Sequence, residues 1–369
     1  MGKLYDTQPD AKKGFLISVW DNQTDKPQAQ SLQRELLGLA GTLGLDAAGQ
    51  ELVHVREKQP KYGMGSGKAQ ELCEKASAAG ADCLVFNYEI SPSQQRNWEE
   101  LSGLPAVDRQ ELIIQIFAAR AATREAELQV RLAQLVYSLP RLSHKYIDLS
   151  RQRGGRYGTR GSGETLLETD RRLVQQKIQK LEKELKEVQK QRQIRRKQRE
   201  RQGLPVCAIV GYTNSGKSSL LNALSGADVL VEDKLFATLD ATTRRFEPEP
   251  GTAALLVDTV GFIRRLPHSL IKAFRSTLEE AALAGLLLHV LDASEPDIDS
   301  FYETTNAVLE ELGAGSVPVI TVLNKTDKAD TATVETLMSR FTDCAAVSAL
   351  DGTGLAGLKR RLAGALRAP

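Results

Sequence analysis

The sequence contains few cysteines, and none is placed for a disulfide framework or a metal site. The four cysteines lie far apart, without a CxxC pair and without a histidine at ligand spacing: Cys73, Cys83, Cys207 and Cys344. Separated thiols of this kind are typical of reduced, buried cysteines in a cytosolic protein. They exclude the class of small secreted proteins that are held together by disulfides.

Long apolar segments are also absent. The sequence has no run of about 18 apolar residues, so it contains no candidate membrane-spanning helix. The first residues, MGKLYDTQPDAKKG, lack the apolar core of a signal peptide. Gly2 is not followed by Ser or Thr at the spacing that myristoylation requires. We therefore expect a cytoplasmic protein with no stable membrane insertion.

The net charge of the chain is only +2, which taken alone argues against a nucleic-acid partner. The charge is unevenly distributed, however. Residues 1–140 contain 15 Lys and Arg against 18 Asp and Glu, residues 141–202 contain 19 against 8, and residues 203–369 contain 15 against 21. The segment charges are therefore −3, +11 and −6, which add up to +2. One strongly basic segment, of a kind that commonly binds polyanions, lies between two mildly acidic ones.

The basic segment includes a loop rich in arginine and glycine. Residues 150–163 read SRQRGGRYGTRGSG, with no acidic residue. Glycine gives the backbone freedom, and arginine supplies forked donors for phosphate and stacks on bases. We interpret the loop as an RNA-binding tip, and a solvated loop is the alternative. Its candidate RNA-binding residues are Arg151, Arg153, Arg156 and Arg160.

Alternating strand and helix patterns predict an α/β fold class. In residues 1–107, apolar strand patterns at 14–20, 51–57 and 81–89 alternate with helical patterns, so we expect a small α/β domain with helices covering a sheet. The C-terminal region, residues 203–369, has the same alternation. There we expect a doubly wound domain, whose function the motifs described below indicate.

Between these domains, residues 108–202 predict an antiparallel hairpin of two long helices, with the loop 150–163 at its tip. A helical stripe runs from about residue 108 to residue 139 and ends at Pro140. A second stripe, from about residue 164 to residue 201, has apolar residues spaced as in a coiled coil. The basic residues of this second helix contact RNA or form a solvated face, and the sequence leaves both interpretations open.

Residues 211–218 have the sequence of a phosphate-binding loop. Gly211-x4-Gly216-Lys217-Ser218 follows an apolar strand and precedes an apolar-periodic helix, which is the context that such a loop requires. Backbone N–H groups of the loop hold phosphates, and the lysine neutralises the β and γ oxygens. The serine hydroxyl ligates Mg²⁺. The sequence therefore predicts a nucleoside triphosphate site with Mg²⁺ as cofactor.

Further motifs follow in the order that a GTPase requires, each after an apolar strand. The segment ALLVDTVG places Asp258 beside Mg²⁺ and the N–H of Gly261 at the γ-phosphate. The segment NKTD ends in Asp327, which can accept from both N1–H and the 2-amino group of guanine. Adenine lacks both donors, so this motif selects GTP over ATP. Ligands at the carboxyl ends of strands are typical of a doubly wound sheet.

With these motifs the sequence resembles the HflX family of ribosome-associated GTPases, in the translation-factor-related class. The resemblance covers residues from about 14 to 365. It rests on GYTNSGKSSLLNAL (211–224), FATLD (236–240), DTVGF (258–262) and NKTD (324–327), and outside the GTPase domain on RGSGETLLETDRR (160–172), SPSQQRN (91–97) and TREAELQVRLAQL (123–135).

The resemblance implies a GTPase that binds the 50S subunit and the 70S ribosome and meets 23S rRNA through the Arg/Gly loop. It implies that the GTP state splits or rescues stalled or hibernating ribosomes and that hydrolysis allows release. A GTPase for 50S assembly or rRNA remodelling is the alternative. Many family members carry a further small domain after the GTPase domain, whereas here we expect one closing helix near residues 353–367. We expect a monomer.

The resemblance also implies roles for individual residues. Thr238 is the implied switch I threonine that closes on Mg²⁺, with Thr242 and Thr243 as rivals that spacing does not exclude. Phe262 stands where Ras-like GTPases have a glutamine that orients water, so we expect slow hydrolysis that ribosomes stimulate. Asn214 either ligates a K⁺ ion or braces the loop.

The expected site residues form three groups. The expected catalytic residues are Lys217, Thr238 and Gly261, and the expected Mg²⁺ ligands are Ser218, Thr238 and, through water, Asp258. The expected GTP contacts are Gly211, Tyr212, Thr213, Asn214, Ser215, Gly216, Lys217, Ser218, Phe236, Ala237, Thr238, Leu239, Asp240, Asp258, Thr259, Val260, Gly261, Asn324, Lys325, Asp327, Ser348, Ala349 and Leu350.

Overall fold

The computed structural model describes residues 12–142, 162–200, 203–226, 232, 234–267, 270, 274, 280–341 and 343–367. The chain divides into two compact units. The first unit comprises residues 1–119 and 130–182, and the second comprises residues 120–129 and 183–369. Within the described ranges, no helix is long and apolar enough to cross a membrane.

The first unit is built on a parallel sheet, as the strand and helix patterns predict. Its described strands lie in the order β2-β1-β3-β4, where β1 is Lys13–Trp20, β2 is Asp46–His54, β3 is Cys83–Phe86 and β4 is Ala106–Asp108. The core is apolar and includes Trp98, which is fully buried. Three helices connect the strands: α1 (Lys26–Thr42), α2 (Ser66–Ala78) and α3 (Pro92–Ser102).

Local capping explains where α1 and α3 begin. Asp25 caps α1 by accepting from the N–H of Gln28. Ser91 and Gln94 form a reciprocal capping box at the start of α3, with Pro92 in the first turn. Such a box satisfies two of the free N–H groups at a helix start. These contacts explain why α3 begins at Pro92.

The single long helix expected over residues 108–139 is wrong. The structure has two helices there, α4 (Arg109–Arg120) and α5 (Arg124–Ser138), separated by residues 121–123. The gap contains neither proline nor glycine, so no sequence breaker marks it. Thr123 caps the start of α5, because its Oγ1 accepts from the N–H of Ala126 at 3.2 Å. A short 3-10 turn, Leu139–Arg141, follows α5 and contains Pro140.

The second hairpin helix, α6, spans Ser162–Glu200. In the first unit, Val174 on α6 is buried with Leu135 of α5 and Leu142, and Ile178 and Leu181 pack against them. These α6 residues belong to the apolar stripe that the sequence predicts. The Arg/Gly loop that joins the two helices, with Arg151, Arg153, Arg156 and Arg160, lies outside the described residues.

The second unit contains a six-stranded sheet among its described residues, in the order β10-β9-β8-β5-β7-β6. All neighbouring pairs are parallel except β6 with β7, which is antiparallel. The strands are β5 (Val206–Gly211), β6 (Thr242–Phe246), β7 (Ala254–Asp258), β8 (Leu286–Asp292), β9 (Val319–Asn324) and β10 (Cys344–Ala346). Burial on nearly every position explains their continuous apolar runs.

Helices pack on this sheet and complete the α/β fold. They are α7 (Lys217–Ser225), α8 (Ile298–Glu311), α9 (Thr331–Arg340) and α10 (Leu355–Arg367). Leu358 and Leu362 of α10 are fully buried in the sheet core. The closing helix expected near residues 353–367 is therefore present, and the predicted α/β fold class is confirmed.

Candidate nucleotide-binding site

Four segments that contain expected site residues meet at the carboxyl-terminal edge of the second sheet. The glycine-rich loop connects β5 to α7, Asp258 ends β7, Asn324 ends β9, and Ser348 follows β10. Because β5, β7, β9 and β10 lie in one sheet and run in the same direction, their ends lie along one edge. Motifs that are more than 130 residues apart in the sequence thus form one site.

Two positions of the loop require glycine because other atoms approach the backbone too closely for a side chain. A Cβ on Gly211 would lie 2.3 Å from the carbonyl oxygen of Val290, and one on Gly216 would lie 2.2 Å from Nδ2 of Asn324. Both also have positive φ angles, 147° and 91°. A side chain would therefore both strain the backbone and separate the loop from its neighbours.

Lys217, the first residue of α7, is enclosed by the loop. Its Nζ donates to the carbonyl oxygen of Tyr212 at 2.7 Å. The pKa of Lys217 is lowered to about 8, chiefly by burial; the charge of Asp258 opposes this effect and the charge of Lys325 adds to it. A buried cation in contact with the loop backbone is placed to attract an anion.

Three oxygen-bearing side chains meet beside the loop. Ser218 Oγ lies 2.6 Å from Asp258 Oδ2 and 2.8 Å from Thr238 Oγ1. Burial raises the pKa of Asp258, and Lys217 and Ser218 counteract it. Asp258 Oδ1 is buried and has no hydrogen-bond partner among the described residues.

This donor set fits Mg²⁺. Hydroxyl and carboxylate oxygens are the protein ligands that Mg²⁺ accepts, and the ion retains several other ligands from water and phosphate. The unpartnered Oδ1 of Asp258 is the kind of acceptor that a metal-bound water would satisfy. Ser218, Thr238 and Asp258 are therefore the residues that would hold the ion.

The contact between Ser218 and Thr238 separates Thr238 from its two sequence rivals. Thr242 and Thr243 lie in strand β6, paired with Asp258 and Val257 of β7. Thr238 instead lies in the preceding loop, where it reaches Ser218. The loop is held to the glycine-rich segment by the N–H of Phe236, which donates to Thr213 Oγ1 at 2.6 Å.

Gly261 lies directly against the glycine-rich loop. A Cβ there would lie 2.7 Å from Cα of Thr213 and 3.0 Å from Lys217 Nζ. The next residue, Phe262, forms a two-way backbone bridge, donating to Gly211 O at 3.1 Å and accepting from Thr213 N at 2.7 Å. The Phe262 side chain is buried. Its ring can neither orient nor hydrogen-bond an attacking water.

The NKTD segment contacts both the glycine-rich loop, where phosphates are expected, and the segment after β10, where the base is expected. Asn324 donates to the carbonyl oxygen of Ser215 and accepts from the N–H of Ala349, both at 3.0 Å. Asp327 Oδ1 accepts from Ser348 Oγ at 2.6 Å, which orients the carboxylate. A cavity of about 610 Å³ lies beside these groups, with Leu350 on its lining. That volume is within the range of small-molecule sites, roughly 300–1,000 Å³.

Lys325 is held by a residue that the sequence analysis did not single out. Its Nζ lies 2.8 Å from Asp292 Oδ2 and donates to the carbonyl oxygen of Asn214 at 2.8 Å. Asp292 ends β8 in the same way that Asp258 ends β7, and this position was the available signal. Phe301 was also missed, and its ring stacks on Tyr212 with centroids 3.7 Å apart.

The remaining expected residues have different surroundings. Ala237 lines the pocket beside the glycine-rich loop. Leu239 and Val260 are buried, and Thr259 donates to the carbonyl oxygen of Ile209. Asp240 directs its carboxylate to the backbone N–H groups of Ala122 and Thr123. Asn214 has a left-handed backbone, with φ of 61°, a conformation that asparagine adopts more readily than most residues.

Comparison with known proteins places this chain among GTPases. Residues 30–118 match the model of the N-terminal region of GTP-binding GTPases, and residues 120–199 match the model of their middle region. Residues 206–325 match the model described as 50S ribosome-binding GTPase. The crystal structure of SsGBP with GDP is 26% identical, with a TM-score of 0.51, over 97% of this chain and 100% of that one.

Curated relatives are more similar still. GTPase HflX of Akkermansia muciniphila is 48% identical over 86% of this chain and 74% of its own length. GTPase HflX of Escherichia coli is 42% identical over 88% of this chain and 75% of its own length. With the assembled loop, switch and base-recognition motifs, these similarities show that the chain belongs to the HflX family of GTP-hydrolysing P-loop GTPases.

Proposed function

We propose that this GTPase binds the large ribosomal subunit and that its GTP state splits or rescues stalled or hibernating 70S ribosomes. The observation that carries the proposal is the match of residues 206–325 to 50S ribosome-binding GTPases. The excess of Lys and Arg in residues 141–202 supports it, because rRNA is a polyanion. Hydrolysis then allows the protein to leave the subunit.

The residues of the site have distinct tasks in this proposal. The loop N–H groups and Lys217 hold the phosphates, and Asp327 recognises guanine. A bound Mg²⁺ would neutralise charge on the phosphate oxygens, held by Ser218, Thr238 and the water on Asp258. The N–H of Gly261 meets the γ-phosphate. Thr238 and Gly261 lie on separate loops, so loss of the γ-phosphate releases both loops together.

Ribosomes are expected to stimulate hydrolysis. Phe262 offers no hydrogen bond to the attacking water and is buried. Position 262 therefore lacks the glutamine that orients water in Ras-like GTPases. The comparison to make is GTP turnover with and without purified 70S ribosomes, and equal rates would contradict this part of the proposal.

The splitting activity is tested on purified 70S ribosomes by sedimentation. With a non-hydrolysable GTP analogue, the wild-type chain should deplete 70S particles, whereas Lys217→Ala should not. Changing Arg151, Arg153, Arg156 and Arg160 together to Ala should preserve GTPase activity without ribosomes and weaken ribosome binding and its salt dependence. Changing the same four residues to Lys is the matched control, because it keeps the charge.

The same assay separates the proposal from the alternative. A factor for 50S assembly or rRNA remodelling would leave purified 70S particles intact and would change the abundance of precursor particles in cells. Intact 70S particles with the GTP analogue would therefore overturn the splitting proposal.

The role of Asn214 is tested by exchanging the monovalent salt. If its side chain ligates K⁺, GTP turnover should be faster in KCl than in NaCl of equal concentration. If it only braces the loop, the two rates should agree. Asn214→Ser, which removes the amide, should abolish any difference between the salts.

A further inference from the structure

The short gap between α4 and α5 lies against switch I, the loop that contains Thr238. Residues 120–129 belong to the same compact unit as the GTPase sheet. Asp240, two residues after Thr238, accepts from the N–H of Ala122 at 3.2 Å and from the N–H of Thr123 at 3.1 Å. Its other oxygen accepts from the hydroxyl of Thr123. Three hydrogen bonds thus join one carboxylate to the start of α5.

This contact is a capping box whose second half comes from switch I. In an ordinary capping box, a Glu or Gln three residues after the cap accepts from the N–H of the capping residue. In α5 that position is Ala126, which has no acceptor in its side chain. Thr123 Oγ1 accepts from the N–H of Ala126, and Asp240 supplies the missing acceptor for the N–H of Thr123.

Ion pairs on either side extend the same contact. Arg120, the last residue of α4, pairs with Glu232 at 2.5 Å, in the segment that leads into switch I. Glu125, in the first turn of α5, is 3.3 Å from Arg192 of α6. Arg192 also pairs with Glu280 at 2.7 Å. The start of α5 is thus bound at several points within the second unit.

Switch I is therefore anchored at both ends of a three-residue segment. Thr238 reaches Ser218 in the metal cradle, and Asp240 reaches the start of α5. Leu239 between them is buried. A segment this short, with a buried centre, cannot move at one end while keeping its geometry at the other.

We propose that Asp240 and Thr123 are positioning residues that hold Thr238 in the metal cradle and couple the start of α5 to the bound nucleotide. This inference rests on the proposed role of Thr238 as the switch I threonine. Coupling between two sites is reciprocal. GTP with Mg²⁺ should therefore tighten the cap on α5, and loss of the γ-phosphate should loosen it.

The test uses the full chain without ribosomes. Asp240→Ala and Thr123→Val should each lower the single-turnover rate of GTP hydrolysis about fivefold, the factor that corresponds to loss of a helix cap of about 1 kcal/mol. GDP affinity should remain unchanged, because the Asp240 carboxylate, expected from the sequence to contact GTP, is directed to the start of α5. Neither Asp240 nor Thr123 lines the glycine-rich loop or the base cavity. Thr123→Ser, which keeps the hydroxyl, should hydrolyse GTP as the wild type does.

Two further measurements exclude a merely structural effect. The double variant should be no slower than either single variant, since both remove the same contact. Amide hydrogen exchange in residues 122–127 should be slower with a non-hydrolysable GTP analogue than with GDP, and Asp240→Ala should remove this difference. Asp25→Ala is the matched control, because it removes the cap of α1 in the other unit and should leave hydrolysis unchanged.

The outcomes separate this inference from the proposed function. If Thr238→Ala slows hydrolysis but Asp240→Ala and Thr123→Val do not, the positioning inference is wrong and the role of Thr238 stands. Exchange in residues 122–127 that is the same with GDP and with the GTP analogue would also overturn it. If Thr238→Ala hydrolyses GTP at the wild-type rate, the proposed switch itself fails.

Discussion

The two sheets of this chain have similar parallel strands but opposite uses of their carboxyl-terminal edge. In the first unit, two arginines at that edge pair with carboxylates. Arg109 pairs with Glu35 and donates to Asn87, and Arg141 pairs with Asp108 at 3.2 Å. In the second unit the corresponding edge keeps a buried lysine and an acceptor, Asp258 Oδ1, which has no partner among the described residues.

The difference shows that topology provides a place for a ligand and side chains decide whether it is used. At the first edge both of these arginines are paired with carboxylates, so the arginine charges are already compensated. The second edge contains glycines that bring backbone N–H groups together and a lysine whose charge burial disfavours. An anionic ligand would stabilise the second edge, whereas the arginines of the first edge already have anionic partners.

The largest expected effect comes from removing the lysine of the second edge, which we call the open edge because its buried lysine and Asp258 Oδ1 await a ligand. Lys217→Ala should reduce GTP hydrolysis by about 1,000-fold, because the charge opposite the transferred phosphate is lost. Single-turnover hydrolysis with Mg²⁺ measures this. Arg360→Ala, which removes an exposed cation from α10, is the control and should hydrolyse GTP normally. A Lys217→Ala protein with more than a tenth of wild-type activity would contradict the assignment.

The first edge, which we call the closed edge because its arginines are already paired, should affect stability and not nucleotide binding when it is mutated. Arg109→Met removes the arginine that pairs with buried Glu35, and should lower the free energy of unfolding by about 3 kcal/mol. Denaturant unfolding, followed by a probe in the first unit such as Trp98 fluorescence, measures the loss. The double change Arg109→Met with Glu35→Leu should recover part of it. An altered GDP affinity in Arg109→Met would contradict the prediction that the first edge does not take part in nucleotide binding.

The buried lysine should also make nucleotide binding depend on pH. Burial lowers the pKa of Lys217 to about 8, and bound phosphate raises it again. Above pH 8, binding must take up a proton, so GDP affinity should fall up to about tenfold per pH unit. Calorimetry in buffers of different ionisation enthalpy measures the proton uptake. Affinity that is constant from pH 7 to pH 9.5 would contradict this prediction.

Stability has the opposite pH dependence for the same group. The folded-state pKa of Lys217 lies below its unfolded value of 10.5. Between about pH 8 and this value the unfolded chain holds the extra proton, so this lysine makes folding more favourable as the pH rises. Nucleotide binding and folding should therefore respond in opposite directions in this range.

The smallest expected effect concerns the base side of the open edge. Ser348→Ala removes the hydroxyl that donates to Asp327, leaving the carboxylate less well oriented. GTP affinity should fall about fivefold, the factor for one lost hydrogen bond of about 1 kcal/mol. Ser339→Ala is the control, since that exposed hydroxyl donates to the carbonyl oxygen of Thr336 on α9. Equal affinities in all three proteins would remove Ser348 from the site.

The sequence predicts the open edge well because each motif there is local. The glycine-rich loop has its glycines and its lysine within eight residues, directly after its strand, and strand order then brings the other motifs beside it. The two-sheet α/β fold is predictable for the same reason, from alternating buried strands and amphipathic helices.

The contacts that the sequence does not predict are the ones between distant segments. The helical stripe continues through residues 121–123, so periodicity indicates one helix where the structure has two. The cap that marks the start of the second helix, α5, includes Asp240, which lies 117 residues beyond Thr123. Thr123 itself is a capping residue type and was a usable signal for a helix start. Asp292, which holds Lys325, likewise acts across the fold.

The contrast between the two edges is tested most directly by mapping where nucleotide protects the backbone. Amide hydrogen exchange of the full chain, with Mg²⁺ and a non-hydrolysable GTP analogue, should slow at residues 211–218, 236–240, 258–262 and 324–327. Exchange at the first edge, in residues 86–91 and 106–111, should remain as it is without nucleotide. Protection at the first edge, or none at residues 211–218, would contradict the account.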